Sequence, residues 1–221
     1  LSSAASDVYK RQRNNMVLCS LKAAKDFAAA LVDGQKVGLY LDDDIKVRGL
    51  LPQNVEFSTN LPVGMAVTLN KNLNCFANTV RLLPRIVHLG IGCRRNTPLE
   101  NIEALVLYEL ERLALDKRTV AGVASVDLKK DEQGLLAFAR KYNFPITFYT
   151  AQQLNDVQGD FTPSAFVQSV VGVSNVCERS AVLDAQGGRL LLHKTSCKGV
   201  TLAVAAEDLT LDFNHTGLKN Q

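Results

Sequence analysis

The chain has 221 residues, enough for one large domain or two small ones, with the 47% hydrophobic and 21% charged residues of an ordinary globular protein. Its formal net charge of +3 makes no case for nucleic-acid binding, and no apolar run reaches the ~18 residues that span a bilayer, so neither a nucleic acid nor a membrane is an expected partner. Cys19, Cys75, Cys93, Cys177 and Cys197 are odd in number and form no CxxC pair, and His88, His193 and His215 lack metal-ligand spacing. Neither a disulfide framework nor a metal site is indicated, and a reducing cytoplasm is the expected location.

Residues 1–12, LSSAASDVYKRQ, have no period and no apolar core of signal-peptide length; they read as adapter-derived sequence and are set aside. Residues 21–33 predict a helix with Leu21, Ala24, Phe27, Ala28 and Leu31 on one face and Gly34 as its stop. Lys36–Leu41 predicts a strand ended by three aspartates at 42–44. From Lys46 to Arg81, Pro52, Pro62, Gly64 and several asparagines separate short apolar pieces, which reads as loops and edge strands or a partial domain. Pro84 marks a boundary.

Ile86–Ile91 then predicts a buried strand that halts on a glycine turn, Gly90-Ile91-Gly92. Thr97-Pro98-Leu99-Glu100 reads as a capping box with proline at the first helical position, opening a helix to about Leu113. Val120–Val126 predicts a second strand, Asp131–Tyr142 a helix capped by Asp131, and Pro145–Tyr149 a third strand. Thr150-x-x-Gln153 opens a short helix, Thr162-Pro163 another that runs to Gly172, and residues 174–184 carry one more helical pattern. Arg189–His193 and Val200–Ala205, joined by SCKG, read as a hairpin. The expected fold is α/β, a mixed and mostly parallel sheet with helices on both faces, preceded by a partial α/β segment.

The candidate chemistry gathers where strands end. A dinucleotide fingerprint would need glycine where Arg95 stands, and a Walker loop is absent. The Gly92-Cys93-Arg94-Arg95 segment therefore reads either as an anion site, with free N–H groups at a helix start and two guanidiniums able to grip a carboxylate, or as solvated loop charges. In an open α/β sheet the ligand crevice lies at the carboxyl ends of the strands, where this segment falls. Asp127, ending the second strand, is a base, an orienter of Arg94 or a turn residue. Glu178, at a helix start with apolar flanks, is a carboxylate of raised pKa or a simple cap; Lys194 is placed to reach an anion; Cys93 is a nucleophile of depressed pKa or a packed side chain.

GIGCRRNTPLENI, ASVDLKKDEQGLLAFARKYNFPITFYTAQQL, FVQSVVGVSNVCERSAVL and LLLHKTSCKGVTLAVA, in unbroken order, resemble the successive motifs of the CbiG C-terminal domain. This is the cobalt-precorrin-5A hydrolase family of cobalamin biosynthesis, related to CobE. Residues 21–41, a helix leading to DGQKVGLY, resemble the end of that family's central region. The resemblance implies a partial central region over 13–84, a C-terminal domain over 85–206, a tail over 207–221 and an N-terminal domain missing here as a further partner. It implies a cobalt-corrinoid substrate that carries its own metal, so no cofactor is expected. It also implies hydrolytic opening of a δ-lactone with release of acetaldehyde, giving cobalt-precorrin-5B. Glu178 or Asp127 would then serve as the base, the N–H groups of Cys93 to Arg95 as the oxyanion site, and the arginines as carboxylate holders. A non-catalytic, CobE-like binding module is the alternative.

Overall fold

A computed structural model describes residues 15–163 and 172–214; the adapter-like segment 1–12, residues 164–171 of the helix expected from Thr162, and His215 lie outside the described residues. The chain divides into two compact units, one formed by 1–85, 114–119 and 209–221, the other by 86–113 and 120–208.

The first unit opens with strand β1 (Met16–Leu18) and helix α1 (Leu21–Val32). Ser20 caps α1 by accepting the Ala23 N–H, and Ala23, Phe27, Ala30 and Leu31 form the buried face, packed with Val37 and Val80. The helix ends as Gly34 predicts. At φ 73° it lets its own N–H reach Leu31 O and that of Gln35 reach Ala30 O, which satisfies carbonyls the last turn leaves open. Strands β2 (Val37–Leu41), β4 (Val55–Phe57), β5 (Val63–Val67) and β6 (Asn78–Pro84) run parallel, with β1 antiparallel on the outside, in the order β1-β6-β5-β2-β4. Strand β3 (Lys46–Arg48) pairs with β12 (Thr210–Asp212). The expectation of loops and edge strands over 46–81 is thus corrected: β5 and β6 are interior strands. Their alternation was hidden because both of their faces are covered, and the C-terminal residues read as a tail contribute a strand.

The second unit holds β7 (Val87–Cys93), α2 (Leu99–Arg112), β8 (Val120–Val126), α3 (Gln133–Tyr142), β9 (Ile146–Tyr149), α4 (Ala151–Asp156), α5 (Val176–Asp184), β10 (Arg189–Cys197) and β11 (Val200–Ala206). The sheet order is β10-β11-β7-β8-β9. Strands β7, β8 and β9 are parallel, and the closing hairpin adds β11 and β10 antiparallel, so the sheet is mixed as its sequence suggests. Leu89, Ile91, Val123 and Leu202, none of them exposed, share one face, on the side of α2, which packs on β11 and against α3. The other face is built of small residues and receives α5.

That close approach explains the glycines. Gly90 and Gly92 do not form a turn: they lie within β7. A Cβ on Gly90 would lie 1.8 Å from the Cys177 carbonyl oxygen, and one on Gly122 would lie 2.5 Å from Asp184 Oδ2. Glycine is present because α5 rests on the strand backbones, with Ala181 and Ala185 packed on Ala203 and Ala205.

Two expected caps are also corrected. The Thr97 hydroxyl donates to the Arg94 carbonyl, and Pro98 occupies the N-cap of α2 without a side-chain bond, because Asn96 at φ 57° turns the chain there. Helix α3 starts at Gln133, so Asp131 lies before its N-cap, Glu132. By contrast, Thr150 and Gln153 close a full capping box at α4.

Candidate functional site

The residues expected to act fall into three places in the second unit. At the end of β7, the Arg94 N–H bonds the Gly199 carbonyl, extending the ladder to β11, and a Cβ on Gly199 would stand 3.1 Å from Arg94 Cδ, so this side chain runs along the hairpin turn. Arg94 and Arg95 are exposed. Gly92 lies against the Thr201 hydroxyl, which donates to its carbonyl at 3.4 Å.

An anion does sit on this turn, and it belongs to the protein. Glu132 Oε2 accepts the Asn96 N–H at 2.9 Å while Oε1 lies 3.3 Å from Lys129 Nζ. One carboxylate therefore ties the loop after β7 to the loop after β8. The expected oxyanion site over Cys93 to Arg95 loses the Arg94 N–H to the sheet. Cys93 is no activated thiol either: burial pushes it up to about 11, with Lys129 opposing and Glu132 reinforcing. The packed reading of this cysteine holds, because a thiolate is disfavoured where water is withdrawn.

Asp127 opens a single helical turn, Asp127–Lys129, at the carboxyl end of β8; it is half-buried, and its carbonyl accepts the Lys130 N–H.

The third place is the first turn of α5. Asn175 caps it by accepting the Glu178 N–H and donates from its amide to the Thr162 carbonyl. Glu178 is fully buried. Its carboxylate accepts the Thr162 N–H at 2.8 Å, the Thr162 hydroxyl at 2.7 Å and the Lys194 N–H at 2.6 Å. His193 Nδ1 lies 3.5 Å from the same Oε1. Burial alone would raise this acid, yet the bonds from Lys194 and Thr162, with His193 nearby, outweigh it and hold the group below the ordinary carboxylate value. The expectation of a carboxyl raised by apolar neighbours is therefore corrected. Val176, Ala181 and Val182 are indeed its neighbours in sequence, but three donors converge on the oxygens themselves. Lys194 takes part here through its backbone.

A second polar cluster, missed in the sequence, lies at the other end of α5. His88 donates or accepts at both ring nitrogens, with Nδ1 2.6 Å from Asp184 Oδ2 and Nε2 2.7 Å from Glu207 Oε1. The Tyr149 hydroxyl donates to Asp184 Oδ1 at 2.8 Å. Burial alone would lower the His88 pKa, but the bonds to Asp184 and Glu207 carry it above the ordinary histidine value. Burial, then the Asp184 carboxylate, raises the Tyr149 hydroxyl. The two carboxylates hold opposite edges of the imidazole, so they do not converge on one point. The only local signal was a histidine inside an apolar strand run, which calls for charged partners without saying where they are. No group of His, Cys, Asp and Glu able to hold a metal ion is found among the described residues, and no described helix is long and apolar enough to cross a membrane.

Residues 87–205 match the family model described as "Cobalamin synthesis G C-terminus". The chain is 32% identical over 191 residues to the cobalt-precorrin-5A hydrolase of Salmonella typhimurium, covering 82% of this chain and 54% of that relative, so it spans about half of the relative's length. It is 34% identical over 121 residues to the protein CobE of Sinorhizobium sp, covering 53% of this chain and 77% of that one. The crystal structure of CobE, a protein from the cobalamin biosynthetic pathway, superposes with a TM-score of 0.52 at 32% identity, covering 56% of this chain and 92% of that chain. With a family match across the sheet and helices of the second unit, and a CobE relative covered over most of its length, the chain belongs to the CbiG C-terminal family, to which CobE is related.

Proposed function

We propose that the chain is the corrinoid-binding part of a cobalt-precorrin-5A hydrolase, which opens the δ-lactone of a cobalt-bearing tetrapyrrole and releases acetaldehyde to give cobalt-precorrin-5B. The observation that carries this reading is the reach of the similarity. The Salmonella typhimurium hydrolase aligns over 191 residues and so takes in both compact units, whereas the CobE alignment covers 121 residues. A CobE-like binding module would need the second unit alone. The cobalt arrives with the substrate, and the remaining part of a hydrolase-length protein acts with this chain.

A corrinoid rim bears many acetate and propionate groups, and the exposed Arg94-Arg95 pair at the carboxyl edge of the sheet suits them. Each guanidinium grips a carboxylate through charge-assisted hydrogen bonds. The test is a spectroscopic titration with cobalt-precorrin-5A, together with enzymatic detection of acetaldehyde, on the chain alone and joined to the rest of a hydrolase. Replacing both arginines by alanine is expected to weaken binding several-fold to ~100-fold, from ~0.5–1.4 kcal/mol lost at each solvent-exposed guanidinium, with a smaller effect at high salt. Unchanged affinity with an intact fold would remove the arginines from the site. Tight binding without acetaldehyde in either form would favour the CobE-like module.

A further inference from the structure

This inference rests on the hydrolase reading and concerns the proton acceptor that reading requires. Glu178 is one of the two bases expected from the sequence, yet its geometry forbids the role: the side chain has no exposure, and Thr162 and Lys194 fill its oxygens with hydrogen bonds. Water cannot reach it. What does reach solvent beside it is His193, whose side chain is 68% exposed while its Nδ1 lies 3.5 Å from Glu178 Oε1.

A fault in the β-ladder builds this pair. Leu192 pairs with Val204 and Thr195 with Leu202, so β10 spends three residue steps where β11 spends two. The extra residue is a bulge at His193-Lys194. It withdraws the Lys194 N–H from the ladder and delivers it to Glu178, and it brings the His193 ring over the same oxygen. In a regular strand the Lys194 N–H would lie in the plane of the sheet, along the ladder direction, and would not turn toward a carboxylate on the helix above it. Bulges of this kind re-aim side chains next to active sites. The bulge stands opposite Ala203, which pairs with Gly90, three ladder rows from the Val200–Cys93 pair that leads into Arg94. The two places are thus roughly 10 Å apart along the strands and roughly 10 Å across them, a span suited to a macrocycle held by its rim at one side.

We propose that His193 is the proton acceptor for the water that opens the lactone, and that Glu178 is its positioning residue. Glu178 stands at the Nδ1 edge of this exposed ring, which makes Nε2 the nitrogen that takes the proton. A water proton passes to Nε2 as the water oxygen adds to the lactone carbonyl carbon. The tetrahedral oxyanion then collapses, the acyl C–O bond breaks, and the imidazolium returns the proton to the departing alkoxide. One water is consumed, and one carboxylic acid and one alcohol are formed. The arrangement is that of a base oriented by a buried carboxylate.

The test is steady-state turnover of cobalt-precorrin-5A by the form that releases acetaldehyde. His193→Ala, at an exposed position that leaves the core untouched, is expected to lower kcat ~10²–10⁴-fold with little change in KM. It should also abolish the acid limb of the pH–rate profile, and added imidazole should restore part of the rate. Glu178→Gln is expected to move that acid limb, whereas a merely structural role would lower activity at every pH without moving it. Full activity in His193→Ala overturns the proposal and leaves the hydrolase reading standing, as does loss of the acid limb in Asp127→Asn while His193→Ala retains it. A wild-type protein that binds the corrinoid and releases no acetaldehyde overturns both.

Discussion

Helix α5 carries a carboxylate at each end, and each is partnered by a histidine from a strand, yet one pair is closed and the other half open. At the last turn both members are buried, His88 8% and Asp184 9% exposed, with the imidazole held on both edges by Asp184 and Glu207. At the first turn the carboxylate is the buried member and the histidine is outside. The difference lies in what closes over each pair. Gly122 lets Asp184 descend onto the sheet beside His88, so the imidazole is enclosed and its protonated form is held by two anions. At the other end the β10 bulge leaves His193 on the rim. The same two residue types thus make a fastening in one place and a site with access to water in the other. Burial, not composition, separates them.

The comparison is most strongly broken at Asp184. Replacing it by alanine leaves His88 and the Tyr149 hydroxyl without their shared partner in a closed space, and is expected to cost ~3–5 kcal/mol of stability by chemical denaturation, the usual effect of stripping one member from a buried pair. A loss below ~1 kcal/mol would show that the cluster is solvated and that the two ends of α5 are alike.

A smaller effect should appear on changing pH. The folded His88 pKa lies above the ordinary histidine value, so its contribution to stability is complete below about pH 6.5 and is lost as pH rises through the higher folded value. The facing groups are Asp184 and Glu207, with Tyr149 behind Asp184. Denaturation midpoints measured from pH 6 upward should therefore decline in the wild type, and the decline should flatten in His88→Gln. An identical slope in both would detach the pH dependence from this residue.

The smallest effect is expected at the open end. His193→Gln should change stability by no more than ~0.5 kcal/mol, as surface substitutions do, because the Thr162 and Lys194 bonds to Glu178 remain. A loss comparable to that at Asp184 would make His193 a fastening too and would erase the contrast.

How much of this was legible in the sequence depends on the range of the interaction. The span of helix α1 was readable from its apolar pattern and Gly34, although its buried face is Ala23, Phe27, Ala30 and Leu31 and the expected Leu21 is exposed. Helix α4 was readable from Thr150 and Gln153, and the closing hairpin from its turn, because each is decided within a few residues. The interior strands β5 and β6 were not, since covered faces remove the alternation. Gly90 and Gly92 drew attention for the wrong reason. Glycine marks a turn or a close approach equally well, and only the tertiary neighbours, α5 at Gly90 and Thr201 at Gly92, decide which. Glu178 shows the same limit: its flanks are apolar in sequence, while the donors that lower its pKa come from Thr162 and Lys194, each 16 residues away.

By itself, then, the sequence determined the alternation of strands and helices after Pro84, the mixed character of the sheet, and the motif order that placed the chain in its family. Periodicity, caps and turns are local properties of a chain. The tertiary structure alone decided that Glu132 fills the anion position on the turn after β7, that Glu178 is sealed and His193 is open, and that His88 meets Asp184 and Glu207 across separations of 96 and 119 residues. Those facts depend on which side chains burial brings together and which donors it leaves for a buried oxygen, and both are settled only when the sheet closes against its helix.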